Sequence, residues 1–201
     1  MLTRSSRSGL FAALAAMLAP SLAWAHVGVG STSGFAHGFT HPIGGLDHVL
    51  AMVAVGMFAA NLGGRALWAV PATFVSVMAI GGFLGIEQVA VPFVEVGIAL
   101  SVVVLGLIVA LEVKWPVAAA MGLVGLFAIF HGHAHGGEMP LDASGVAYAS
   151  GFMIATALLH VAGILFGLGL QRVGTLYWQR TAQISGAAMV LAGVGLLTGA
   201  L

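Results

Sequence analysis

The sequence predicts an all-α integral membrane protein: one bundle of six transmembrane helices behind a cleaved signal peptide. Three observations predict it. The 201 residues are 60% hydrophobic and only 6% charged, too little polar surface to solvate a globule of this size. The chain then divides into six apolar stretches, each near the roughly 20 residues that a spanning helix needs. Finally, the basic residues fall in alternate connections, as membrane topology requires.

Taken in order, the first element is the leader. Arg4 and Arg7 precede a short apolar run over residues 9–19, then Pro20 and Ala-Trp-Ala at 23–25. This is the pattern of a signal peptide, and the run is too short to span a hydrocarbon core of roughly 30 Å. Residues 1–25 are therefore expected to be removed, leaving His26 as the mature N-terminus. Residues 26–201 form a single helical domain. Its first span, residues 43–61, is opened by HPIGGLDH, and the second covers residues 66–86. The third, residues 91–111, stops before Glu112 and Lys114; the fourth, residues 116–135, runs into FHGHAHGGE. The fifth, residues 145–170, carries His160, and the last covers residues 181–200. The connections after the fourth and fifth spans are about ten residues, and the others are shorter, so no soluble domain is inserted. Gly-xxx-Gly spacings at 81/85, 132/136, 163/167 and 195/199 suit close helix packing.

Cleavage of the leader puts the mature N-terminus outside, in the periplasm of a bacterium, and each span then reverses side. Arg65, Lys114, Arg172 and Arg180 are the basic residues of the mature chain, and all four fall in the three connections this places in the cytoplasm. The scattered charges and zero formal net charge give no footprint for nucleic acid, so the expected macromolecular surroundings are the lipid bilayer of the inner membrane. The absence of cysteine removes thiolate metal ligands and disulfides. Homo-oligomerisation is compatible with the sequence.

Polar residues at membrane depth carry the functional information, because an ionisable side chain there costs about 2.5 to 3.5 kcal/mol and survives mainly beside a cavity, a partner or an ion. HPIGGLDH opens the first span and FHGHAHGGE closes the fourth, so both clusters reach the periplasmic face. His41 and His48 are seven apart, and His131, His135 and Glu138 sit at i, i+4 and i+7, so helical spacing makes a stripe of each set. His133 points elsewhere, and Asp47 reaches the same centre from the flank. Imidazole with carboxylate and no sulfur suits a divalent transition metal such as nickel, cobalt, zinc or iron. The expected metal-ligating set is His41, Asp47, His48, His131, His135 and Glu138.

These two motifs, H-x5-D-H over His41–His48 and F-H-G-x-A-H-G-x-E over Phe130–Glu138, resemble those of the HupE/UreJ family of nickel/cobalt permeases. The resemblance covers the whole chain. It implies Ni²⁺ uptake, with indirect supply of a nickel enzyme such as hydrogenase or urease, and a metal-handling role for the same six residues. No permanently bound cofactor is implied; Ni²⁺ is the transported ion, with Co²⁺ or Zn²⁺ as alternatives.

Four further residues are weaker metal or pathway candidates: His26 as the mature terminus, His37 in the approach to the first span, Glu95 one turn into the third, and His160 deep in the fifth. For His160 a second stop for the ion, a proton-linked group and a structural histidine all fit. Glu112 and Lys114 are expected to pair in a cytoplasmic loop. The competing function is a metal-dependent membrane enzyme, di-iron or zinc, using the same cluster, but H-E-x-x-H and an adjacent His-His pair are missing from the sequence. A haem-binding cytochrome would place facing histidines around an apolar slot rather than beside carboxylates. With no P-loop motif, an ATPase is not built into the chain.

Overall fold

The computed structural model describes residues 31–139 and 144–201, with side chains from Gly34 onward. The leader, His26 and Asp142 lie outside the described residues. Within them the chain forms seven helices and no strand: α1 (Ser31–Gly44), α2 (Leu46–Leu62), α3 (Ala66–Ile86), α4 (Val94–Ala110), α5 (Val117–Gly137), α6 (Gly145–Val173) and α7 (Thr175–Thr198). α3, α5, α6 and α7 are long and apolar enough to cross a membrane, and α1 and α2 satisfy the same test together as a bent pair. α4, with 17 residues, is a shorter apolar helix, about 26 Å at 1.5 Å per residue. The chain is a multi-pass helical membrane protein.

The architecture follows from where apolar side chains and missing side chains lie. α2 sits in the middle, with Met52, Val55, Met57 and Phe58 shielded from the surface, and packs on α3, α4 and α6. Large apolar side chains such as Trp68, Phe83, Leu165, Ile184 and Leu191 face outward, as required of a surface solvated by lipid rather than water. Around α2 the helices pair as α3 with α5, α4 with α7, and α1 with α6. The α3–α5 pair brings two of the expected glycine motifs face to face. A Cβ on Gly132 or Gly136 would collide with the Met78 or Gly82 carbonyl, and one on Gly81 or Gly85 with the Ile129 or His133 carbonyl. Backbone contact this close needs glycine on both helices.

Three sequence expectations about the course of the helices are corrected. The HPIGGLDH stretch is not one helical stripe: the chain turns by 80° between α1 and α2, with Gly45 extended at φ −88°, ψ 117°. The pair of glycines at 44 and 45 is where helix propensity is weakest, so His41 belongs to α1 and His48 to α2. The connection before the last span is not about ten residues but Gly174 alone, at φ 154°, a conformation open to glycine that ends α6 and starts α7 at once. Gly195 and Gly199 do not join helices. Gly195 faces Leu201, Gly199 is the left-handed cap of α7, and the contact with α4 is made by Gly186 and Gly193.

The basic residues gather at the end of the bundle where α2 finishes. Arg65 precedes α3, Lys114 Nζ donates to the Asn61 carbonyl, and Gln171, beside Arg172, donates to the Ala60 carbonyl at 3.2 Å. Arg180 lies in the second turn of α7. Lys114 thus closes the C-terminal end of α2 instead of pairing with Glu112. His41, His48, His131 and His135 lie toward the opposite end, where α2 begins and α5 finishes.

Candidate metal site

Helical spacing in α5 accomplishes the first step of assembly. His131 and His135, one turn apart, face inward, while His133 turns the other way and meets the Val89 carbonyl at 2.7 Å through Nε2. Glu138 follows as the C-cap of α5. The bend at Gly45 accomplishes the second, by bringing one histidine from α1 and one from α2 onto this stripe from different directions. Two groups of converging ligand atoms result, each within 4.8 Å of one another: His48, His131 and His135, and His41, His135 and Glu138.

The inner group is buried: His48 and His131 are fully enclosed and His135 is 9% exposed. Ring centroids lie 5.3 Å apart for His48–His131 and 5.0 Å for His48–His135, both edge to face. Phe152 of α6 walls this group at 5.1 Å from His48 and 4.7 Å from His135. Two hydroxyls stand behind it. Ser101 Oγ lies 2.8 Å from His131 Nε2 and Thr156 Oγ1 lies 3.1 Å from His48 Nε2. The Nδ1 atoms of His48, His131 and His135 are buried without an aligned protein partner. An unpartnered buried polar atom costs about 1 to 3 kcal/mol, and these atoms belong to rings whose centroids lie about 5 Å apart.

The outer group is half open. His41 Nε2 meets Glu138 Oε2 at 2.8 Å, and the two side chains are 30% and 56% exposed. His135 Nδ1 lies 3.3 Å from the same oxygen, close enough for attraction but without the alignment of a good hydrogen bond. Contacts from His135 and then from His41 hold the Glu138 carboxyl well below the usual carboxylate range, against the opposing effect of partial burial. His37 stacks on His41 at 5.5 Å, and the Tyr148 hydroxyl donates to the His135 carbonyl at 3.2 Å.

The structure thus brings together five of the six principal candidates. Asp47 stays apart: its Oδ1 accepts from the His48 backbone N–H at 2.8 Å, a role at the N-terminus of α2, where the helix dipole favours an anion. Of the weaker candidates, His37 is exposed beside the outer group, Glu95 is exposed in the first turn of α4, and His26 is outside the described residues. His160 is fully buried, with neither ring nitrogen partnered and its ring 5.2 Å from Phe74. Ser101 and Thr156 escaped the sequence reading. A lone hydroxyl in an apolar helix commonly bonds its own backbone, as Ser101 does to Ile98, and no spacing rule ties residue 101 to residue 131.

Relatives give this geometry a family. A family model described as "HupE / UreJ protein" matches residues 14–196. The chain is 52% identical over 186 residues to "Protein HupE" of Rhizobium leguminosarum bv. viciae, covering 92% of this chain and 95% of that one. No solved structure matches. A match over nearly the whole length, with both histidine motifs inside it, places the chain in the HupE/UreJ family.

Proposed function

We propose that the protein is an inner-membrane permease that takes up a divalent transition-metal cation, Ni²⁺ above all, from the periplasm into the cytoplasm. The observation that carries this reading is that one residue, His135, belongs both to a half-exposed group containing a carboxylate and to a buried group made only of imidazoles. An ion can then change ligands stepwise without leaving coordination. Glu138 attracts the hydrated cation and, with His41 and His135, displaces part of its water shell. His48 and His131 complete the exchange inside. Nitrogen ligands without sulfur favour nickel, cobalt or zinc over magnesium and calcium. Three neutral imidazoles with no carboxylate hold a dication less tightly than a charged cage would, which suits release on the far side.

The orientation proposed with this function places the histidine end in the periplasm and the end bearing Arg65, Lys114 and Arg172 in the cytoplasm, in keeping with the positive-inside rule. It includes cleavage of residues 1–25 and six membrane crossings, with α1 and α2 sharing one crossing and α4 making a short one. The membrane potential favours cation entry by about 2.3 kcal/mol per charge per 100 mV. The nickel delivered would serve an enzyme such as hydrogenase or urease. A metal-dependent enzyme is the weaker reading, because the buried group contains no carboxylate to act as a base.

Radiolabelled nickel uptake into a nickel-starved host tests this, with membrane abundance measured for every variant. The wild-type chain should drive accumulation, and His48→Ala should abolish it at normal abundance. Equal accumulation with and without the chain would overturn the reading, as would a purified protein that holds stoichiometric, non-exchanging metal.

A further inference from the structure

The hydroxyl behind His131 fixes more than the position of the ring. Ser101 Oγ lies 2.6 Å from the Ile98 carbonyl oxygen, an atom that can only accept, so the single proton of the serine is committed to it. The same Oγ lies 2.8 Å from His131 Nε2. With its proton engaged, Ser101 can only accept from the ring, so Nε2 is the nitrogen that bears hydrogen. A neutral imidazole has one N–H, and the lone pair of His131 is therefore on Nδ1. That atom is buried without a protein partner, in a residue one of whose ring nitrogens lies within 4.8 Å of one on His48 and one on His135.

We propose that Ser101 is a positioning residue that locks His131 into its Nε2–H form and so presents Nδ1 to the transported cation. The inference rests on the inner group being a cation site. Thr156 supports His48 in the same way but less firmly: its hydroxyl leans on Met78 Sδ at 3.7 Å, a weak acceptor, while facing His48 Nε2. Metal-bound histidines usually donate their second N–H to a carboxylate or a backbone carbonyl, which fixes the tautomer and raises ligand basicity. A serine oxygen fixes the tautomer while adding no charge. The expected result is an oriented but moderately basic ligand, suited to an ion that must leave again. Binding through Nδ1, the nitrogen nearer the backbone, also ties the ion closely to α5.

The test uses the full-length protein in lipid bilayers, metal-free and labelled with ¹⁵N-histidine, near neutral pH. Solid-state NMR reports which ring nitrogen carries the proton, and the His131 signal is identified by its loss in His131→Gln. In the wild type His131 should show a protonated Nε2 and a bare Nδ1. Ser101→Ala should shift the population toward Nδ1–H and weaken Ni²⁺ binding by about 10-fold to 100-fold; Ser101→Thr, which keeps the oxygen, should restore both. A wild-type His131 protonated on Nδ1 overturns the proposal whatever the uptake assay shows. An unchanged tautomer and affinity in Ser101→Ala overturns it too. The expected wild-type tautomer in a protein that binds no Ni²⁺ would instead sink the cation reading beneath it, so the two failures are distinguishable.

Discussion

The outer and inner histidine groups share His135 and differ in what surrounds their nitrogens. In the outer group every member meets another: His41 and His135 both face Glu138, and water reaches the carboxylate. In the inner group His131 and His48 are backed by Ser101 and Thr156, and their Nδ1 atoms are buried without a protein partner. The difference teaches how one motif can do two jobs. In the proposed function, exposure and a negative charge suit the outer group to collecting a hydrated ion. Burial and the lack of a carboxylate suit the inner group to selection, because only an ion that surrenders water for nitrogen gains by entering.

The largest expected effect is at the residue the two groups share. His135→Ala removes a ligand from both and should abolish nickel accumulation and surface-bound nickel together, a loss beyond the roughly 10-fold to 100-fold usual for a supporting residue. Initial uptake rates, corrected for membrane abundance, measure it. A loss no greater than that of His41→Ala would show that His135 is not the bridge.

The next effect sharpens the contrast between the groups. His48→Ala should leave nickel bound at the surface but stop accumulation inside, since only the inner group is broken. Glu138→Gln, which keeps the shape and removes the charge, should raise the apparent KM for nickel about 10-fold, equivalent to about 1.4 kcal/mol, while uptake at saturating nickel stays close to wild type. The reverse pattern, a KM effect at His48 and a rate effect at Glu138, would dissolve the division of labour between collector and filter.

Much of this contrast was legible in the sequence because helical spacing is a strict rule. His131, His135 and Glu138 had to share a face once α5 was recognised as a helix, and His133 had to leave it. The HPIGGLDH stretch was legible only in part. Its two histidines do reach the site, but the same seven-residue spacing was read as one stripe, whereas the Gly44-Gly45 break puts them on helices bent by 80°. Propensity marks glycine as a weak point without saying whether the helix stops there. Asp47 shows the opposite limit: adjacency to His48 placed it beside the site, while the backbone N–H it accepts from holds it out of both groups. The glycine pairs at 81/85 and 132/136 were read as close contacts without a partner; that they pack on each other depends on tertiary order.

Acidity gives the smallest effect and the finest probe of the comparison. The Glu138 carboxyl is held low by His135 and His41, so the folded group releases its proton more readily than the unfolded one. Its contribution to stability is accordingly present above the unfolded pKa and is lost only as pH falls through the lower folded value. Through mildly acid conditions the carboxylate therefore keeps its charge, and its own protonation is not the source of any fall in uptake there. The residual uptake of Glu138→Gln, measured at saturating nickel, should then decline with acid along nearly the same curve as wild type, with a difference of less than about 2-fold in shape. If replacing the carboxylate instead removed the acid limb, Glu138 would be the titrating gate, and the outer group could no longer be treated as a permanently charged collector feeding a neutral filter.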